Sequence, residues 1–397
     1  MARLTHRELL ALIEHRAAEV ISLEHLRRKL ESGKKLRVKL GVDPTTPHLH
    51  LGHIVPFRML RAFQEAGHRA VVIIGDFTAQ IGDPAEREAE RRALTPAEVR
   101  ENERTYSGQI GRVLDLKRAE VHHNREWFSK LNAAEFLRLL MHFPLRSAWE
   151  REDFQKRLAA GREVRLHEAM YPVLQAYDSV VVRADVELGS IDQKLNVLAG
   201  RELQRSLGVE PQEVILLSYL IGLDGRMKMS KSLPNAINLD DSAREMFGKV
   251  MSIPDHLIEN YARLAAWLPP ARVASIRRRL SAGANPRDLK LELAEAVTAL
   301  YHGRASSRRA HEEFLAVFAR REIPASAPTV RLDPGVYSPV ELIRALKVAG
   351  SKSEARRLVA GGALEVNGRK VHLGDARIVI RRRAAIRVGK RKFFRVG

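Results

Sequence analysis

The sequence predicts an α/β protein: a parallel-sheet domain, then an α-helical domain, then a small C-terminal α/β module. Three observations predict it. Short apolar runs rich in β-branched residues alternate with helix-spaced stretches as far as about residue 222, the pattern of βαβ units around a parallel sheet. Strand signals then stop from about Ser242 to Arg320. They return in the last stretch of the chain, where Asn367-Gly368 sits between two short runs as a hairpin turn.

Taken in order, residues 5–32 have helical spacing, with Leu9, Leu10, Ile13, Val20 and Leu23 on one apolar stripe. Leu36, Val38, Leu40 and Val42 alternate with Arg37, Lys39 and Gly41, and period two predicts a strand. It ends at the turn signal Asp43-Pro44. A helix is expected from about His53 to Glu65, closing at Gly67-His68. Val71 to Ile74 reads as a buried strand broken at Gly75-Asp76, with helices following through about residue 115. Val186 to Leu188 and Val214 to Leu217 are further strands. Such a sheet binds ligands at the carboxyl ends of its strands.

In the helical region Asn285 is the expected N-cap of a helix, with Pro286 at its first position and Leu289, Leu293, Val297 and Leu300 on one face. The stretch 323–328 reads as a linker. Beyond it, Ser338-Pro339 and Ser351 to Val359 open helices, the second capped by Ser351 or Ser353, and Gly361 to Val371 reads as a hairpin.

Composition narrows the function. The 397 residues are 45% hydrophobic and 29% charged, an ordinary globular balance. Net charge is +20, and residues 336–397 carry +12 of it, so a polyanion such as nucleic acid is the expected partner of that end. Without cysteine there can be no disulfide, thiolate zinc site or thiol nucleophile. The N-terminal stretch lacks the apolar core of a signal peptide. The run Ala70 to Ile74 falls far short of the ~20 residues that span a membrane, and a cytoplasmic protein is expected.

Two motifs carry chemistry. The first runs from Asp43 to His53, where the first predicted strand turns into a helix. His50 and His53 stand three apart at the helix start, Gly52 permits close approach, and a helix N-terminus attracts phosphate. Alone, the pair also reads as surface histidines at a cap, or as two of the ligands a metal needs, although no HExxH accompanies them. The second is Lys228-Met229-Ser230-Lys231-Ser232, flanked by Asp224-Gly225 and Pro234-Asn235 as a loop. Lysines three apart can follow a leaving pyrophosphate, though an exposed basic loop would look the same.

Together the two motifs resemble the signature pair of class I aminoacyl-tRNA synthetases. Tyr171-Pro172-Val173-Leu174-Gln175-Ala176-Tyr177-Asp178-Ser179, the stretch Ala184 to Gly189, Asp192-Gln193, Gly75 to Thr78 and Ile81 to Pro84 sharpen that resemblance. The set is similar to the bacterial tyrosyl-tRNA synthetases over nearly the whole chain. The resemblance implies a Rossmann-like catalytic domain over 1–222, the KMSKS loop with an α-helical anticodon-side domain over 223–325, and a small RNA-binding module over 336–397.

It implies the residue roles as well. Asp83, Tyr171 and Gln175 would hold the amino group of tyrosine, Asp178 its phenol hydroxyl, and Gln193 its carboxyl region. Asp192 and Gly41 would border the ribose of ATP. Thr45, His50, His53, Lys228 and Lys231 would serve the phosphates, with Gly52 beside them. The chemistry agrees, since an ammonium needs acceptors, and a buried acid facing a phenol rejects substrates without the hydroxyl. Mg²⁺ is expected with ATP, without a dedicated protein site. The partners implied are tRNA(Tyr) and a second copy of the chain. Lys352, Arg356 and Arg357 would track RNA phosphates, since the C-terminal stretch resembles a small ribosomal-protein RNA-binding fold.

The chain departs from the family pattern at Gly189-Ser190-Ile191, where Cβ of Ser190 could crowd the ribose, at Ala79-Gln80 and at Ala85-Glu86. Lys39 stands where one branch has a tyrosine that meets the substrate hydroxyl. Two other functions share some of these features: a small-molecule nucleotidyltransferase, and a synthetase-derived RNA-binding protein without catalysis.

Overall fold

The computed structural model describes residues 4–83, 93–146, 151–230, 233–318 and 328–397, other than Ala376, Arg383, Lys390 and Arg391. Two compact units divide the chain, Met1–Tyr301 and His302–Gly397.

The first unit is built on six strands: β1 (Ala17–Ile21), β2 (Arg37–Val42), β3 (Arg69–Ile74), β4 (Glu120–His123), β5 (Val186–Ser190) and β6 (Glu213–Leu217). Their order across the sheet is β1-β6-β5-β2-β3-β4. All neighbours run parallel except β1, which lies antiparallel to β6 with Val20 opposite Ile215. Every residue of β6 is buried, as is Ala70 to Ile74 of β3, which is why those strands read as unbroken apolar runs. The helices before β3 are α1 (His6–Arg16), α2 (Leu23–Glu31) and α3 (Leu51–Glu65).

The expected single helix over 5–32 is corrected here. It breaks after Arg16, Ala17–Ile21 becomes the edge strand β1, and Ser22 restarts the helix by accepting from the His25 N–H at 3.3 Å. Val20 and Leu23, assigned to one helical stripe, therefore sit in different elements. Backbone pairing with β6 and the Glu19–Lys194 ion pair at 2.7 Å outweigh the local periodicity. Strand β4 escapes sequence reading altogether. It has one apolar residue in four, Val121, and pairs only with β3 at the sheet edge.

Beyond β6 the helices Ala243–Met251, Ile258–Leu264, Pro270–Ser281 and Pro286–His302 follow. Asn285 Oδ1 accepts from the Arg287 N–H at 3.0 Å, so it caps the last of these as its sequence suggests. Leu289, Leu293 and Val297 are buried along one face.

Among the described residues of the second unit, the helix Arg304–Phe318 precedes seven short strands: β7 (Thr329–Val330), β8 (Gly335–Tyr337), β9 (Leu364–Val366), β10 (Arg369–Lys370), β11 (Ile378–Ile380), β12 (Ala385–Val388) and β13 (Lys392–Val396). Five form a sheet in the order β10-β9-β12-β13-β7, and β8 pairs with β11. Helices Pro339–Ala345 and Lys352–Ala360 contribute Leu342, Ile343, Ala355 and Val359 to a core with Leu364, Ile386 and Val388. The β9–β10 hairpin turns at Asn367 and Gly368, with φ of 48° and 81°. Both central residues are left-handed, the requirement that selects Asn-Gly at such a turn.

Candidate active site

The carboxyl ends of β2, β3, β5 and β6 open into a cavity of about 190 Å³. Gly41, Thr45, His50, Gly52, His53, Asp83, Tyr171, Gln175, Asp178, Asp192, Gln193 and Lys228 all line it. Segments separated by more than a hundred residues thus meet at one place. Lys231 lies outside the described residues.

At one end are imidazoles and a lysine. His50 occupies the N-cap of α3 and His53 its third position, their ring centroids 3.6 Å apart. The His50 N–H donates to His53 Nδ1 at 3.2 Å. A ring that accepts at Nδ1 carries its neutral-state proton on Nε2, so His53 is set up as a donor from that edge. A Cβ on Gly52 would lie 2.9 Å from His50 Nδ1 and 3.5 Å from Met229 Cβ, so a side chain there would displace the first ring.

The loop before α3 is braced from two other helices, Pro96–Glu103 and Tyr106–Ile110. Tyr106 Oη donates to the Thr46 carbonyl and Gln109 Nε2 to that of Pro47, each at 2.8 Å, while Gln109 Oε1 accepts from the Leu49 N–H at 2.8 Å. Asn102 reaches the Pro44 carbonyl at 3.0 Å. Buried backbone groups in a loop need such partners.

Lys228 Nζ meets Asp192 Oδ2 at 2.6 Å. The Met229 N–H donates to the Leu220 carbonyl at 2.8 Å, and Ile221 bridges Lys228, so this segment lies back against the end of the sheet. Asn235, 2% exposed, accepts from the Ser230 N–H at 3.1 Å and donates to the Lys228 carbonyl at 3.2 Å. It had been read only as part of a turn signal. The Ser190 hydroxyl donates to the Asp192 carboxylate, so its side chain has a polar partner at the rim. The tighter position is Gly189, where a Cβ would stand 3.2 Å from Gln193 Cβ.

The other end is acidic. Asp178, 4% exposed, accepts from Trp127 Nε1 at 2.9 Å and from Asn124 Nδ2 at 3.4 Å. Burial pushes its carboxyl up to about 7, opposed by the Lys39 charge and these two hydrogen bonds. Asp83 accepts from Gln193 Nε2 at 2.6 Å and from Asn196 Nδ2 at 3.4 Å. Tyr171 Oη donates to Asp43 Oδ2 at 3.0 Å, and Thr78 Oγ1 to Asp43 Oδ1 at 2.8 Å. Gly75 makes room for that carboxylate, since a Cβ would fall 1.9 Å from Asp43 Oδ1.

Sequence reasoning passed over Asp43, Asn124, Trp127 and Glu187. Asp43 lay inside the first motif but was read as a turn former. Asn124 and Trp127 follow β4, and recognising that strand would have pointed to the residues at its carboxyl end. Glu187 lies within the stretch Ala184 to Gly189, whose sequence alone gives it no role.

In the second unit Lys352, Arg356 and Arg357 are exposed on the helix Lys352–Ala360, whose Ala355 and Val359 are buried. Ser351 is its cap, accepting from the Glu354 N–H at 3.1 Å.

With donors at one end and acceptors at the other, the cavity can hold a phosphate-bearing group beside a group offering an ammonium or hydroxyl. Comparison with known proteins agrees. Residues 31–319 match the family described as tRNA synthetases class I (W and Y). The chain is 43% identical over 393 residues to a tyrosine–tRNA ligase of Moorella thermoacetica, covering 98% of this chain and 95% of that protein. It is 42% identical over 396 residues to the tyrosine–tRNA ligase of Thermotoga maritima, covering 99% and 98%. Among solved structures it is similar in fold to the tyrosyl-tRNA synthetase of Archaeoglobus fulgidus complexed with L-tyrosine. There the TM-score is 0.61 and the identity 24%, over 77% of this chain and 99% of that one.

Proposed function

The chain belongs to the class I tRNA synthetases for tryptophan and tyrosine, and on that premise we propose how its cavity performs the reaction of a tyrosine–tRNA ligase. Tyrosine is activated with ATP and transferred to tRNA. In the first step a carboxylate oxygen of tyrosine attacks the α-phosphorus, the bond to the bridging oxygen breaks, and pyrophosphate departs. In the second, a 3′-terminal ribose hydroxyl of tRNA(Tyr) attacks the carbonyl of the adenylate and AMP leaves.

The observation that carries this reading is the convergence of His50, His53, Asp192 and Lys228 with Gln175 and Asp178 around one cavity. Asp178 accepts from the phenol. Asp83, Tyr171 and Gln175 surround the ammonium, and Gln193 faces the carboxyl region. Gly41 and Asp192 border the ribose. Thr45, His50, His53, Lys228 and Lys231 meet the phosphates, with Gly52 keeping His50 in place. Position and charge supply the catalysis, without a covalent nucleophile. Mg²⁺ would accompany ATP on its phosphates as part of the substrate.

The domain roles follow: catalysis over 1–222, the KMSKS loop and an anticodon-side helical domain over 223–325, and RNA binding over 336–397 through Lys352, Arg356 and Arg357. ATP–pyrophosphate exchange tested with each standard amino acid should proceed with tyrosine alone. Exchange with none would sink the catalytic reading, and another preferred amino acid would sink the pocket assignment. Because Thr329–Val330 pairs with β13, the matching truncation removes 328–397. It should leave exchange intact and impair tRNA charging with a loss of its salt sensitivity. Equal loss of both steps would make that module structural.

The protein acts as a homodimer in this reading. Leu137, Met141 and Leu145 are 62, 84 and 70% exposed, large apolar side chains of the kind that subunit interfaces cover. Sedimentation at twice the 44.8 kDa of one chain is the expected result; a species at the single mass would refute it. Among the described residues no helix is long and apolar enough to cross a membrane.

A further inference from the structure

Lys39 of β2 and Glu187 of β5 lie 3.0 Å apart with side chains 0 and 1% exposed. A buried ion pair is poor evidence of a stability role, because apolar residues of similar volume commonly serve as well. Its partners are more informative. Lys39 Nζ donates to the Gln175 carbonyl at 2.9 Å and to Ser179 Oγ at 2.7 Å. Glu187 accepts from Gln175 Nε2 at 3.0 Å, from Ser179 Oγ at 2.9 Å, and from Gln212. The pair therefore fastens both ends of the helical turn 175–179, within which Asp178 projects.

A carboxylate can only accept, so the nitrogen of the Gln175 amide must be the atom turned to Glu187. Its oxygen is then the group Gln175 offers to the cavity it lines, the polarity an ammonium requires. Space for the network is kept by Gly200, where a Cβ would stand 2.6 Å from Gln212 Nε2, 3.1 Å from Ser179 Oγ and 3.3 Å from Glu187 Oε2.

Resting on the assignment of this cavity to tyrosine, we propose that the Lys39–Glu187 pair is a positioning element for amino-acid selection: it sets the orientation of the Gln175 amide and pins the turn that presents Asp178. Neither residue touches the substrate. Both act through the groups that do.

The test is pyrophosphate exchange by the full chain, measured first on the unaltered protein and then on the double variant Lys39→Met with Glu187→Gln, which removes both charges of the pair together. The KM for tyrosine should rise about tenfold and the preference for tyrosine over phenylalanine should fall by a similar factor, with the KM for ATP nearly unchanged. A smaller folded fraction lowers only the apparent kcat, so KM and the preference ratio separate positioning from loss of fold. Should the double variant not fold, Ser179→Ala cuts one link, keeps both charges, and should shift the same ratio about threefold. An unchanged KM for tyrosine and an unchanged ratio would overturn the inference alone. No tyrosine exchange by the unaltered protein would overturn the assignment of the cavity, and this inference with it.

Discussion

Asp178→Asn raises the KM for tyrosine by about 10²-fold and leaves the KM for ATP close to its original value, since a hydrogen bond to a charged group is worth up to about 3 kcal/mol. The geometry makes the loss hard to repair. Trp127 Nε1 and Asn124 Nδ2 already donate to this side chain, and both oxygens of a carboxylate are needed to serve them and a phenol together. Asparagine has one oxygen, and its amide nitrogen would face a donor. Initial-rate exchange at varied tyrosine concentration measures the effect, and a change confined to kcat would refute the assignment.

The same residue gives the reaction a pH dependence. Burial raises the Asp178 carboxyl from the ordinary 3.8 to about 7. Only the ionised form is purely an acceptor, so the KM for tyrosine should rise as pH falls below about 7, approaching tenfold per unit, and the asparagine variant should lose that slope. Stability runs the other way. A folded-state value above the unfolded one means the native chain holds this proton more tightly, so its contribution is complete below about 3.8 and disappears as pH rises through about 7. This one group thus favours the folded chain most in acid, where the cavity binds its amino acid least well.

His53→Ala should lower the rate of adenylate formation by about 10² to 10³ while leaving tyrosine affinity unchanged, the usual result of removing one donor to developing charge. Because His53 Nδ1 accepts from the His50 N–H at 3.2 Å, the neutral ring carries its proton on Nε2, the donor edge in the proposed role. Alanine favours a helix but gives up the cap bond from the His50 N–H, so thermal unfolding of the variant is read beside the rate. Rapid-quench measurement of adenylate at saturating substrates reads the step directly. A rise in KM at constant kcat would mean that the ring binds the ground state and transition state equally.

How much of this was legible in the sequence follows from the range over which each signal acts. β2, β3, β5 and β6 were visible because burial imposes β-branched or alternating runs on them. β1 and β4 were not, being edge strands whose backbone partners lie far along the chain and whose composition is mixed. The cavity residues were found through motifs whose spacing is local: His50 with His53, and Tyr171 with Gln175 and Asp178. What escaped is the supporting set, Asp43, Asn124, Trp127 and Glu187. Their roles depend on which side chain is brought opposite them, and no spacing within the chain records that. Ser190 illustrates the converse: its predicted crowding concerned the Cβ, whereas its hydroxyl turns to Asp192.

The bracing of the loop before α3 by Asn102, Tyr106 and Gln109 bears on how the cavity works from one turnover to the next. Its peptide groups have found their partners before any nucleotide arrives, so the freedom of that segment is surrendered once, when the chain folds. Lys228 is different, since its contact with Asp192 competes with any phosphate it would reach. In the proposed nucleotide seat, the braced loop is set before ATP binds, whereas Lys228 would exchange its carboxylate for a phosphate. Changes that loosen the braced loop should therefore show up as an entropic penalty on ATP association, even when every group that touches ATP is untouched.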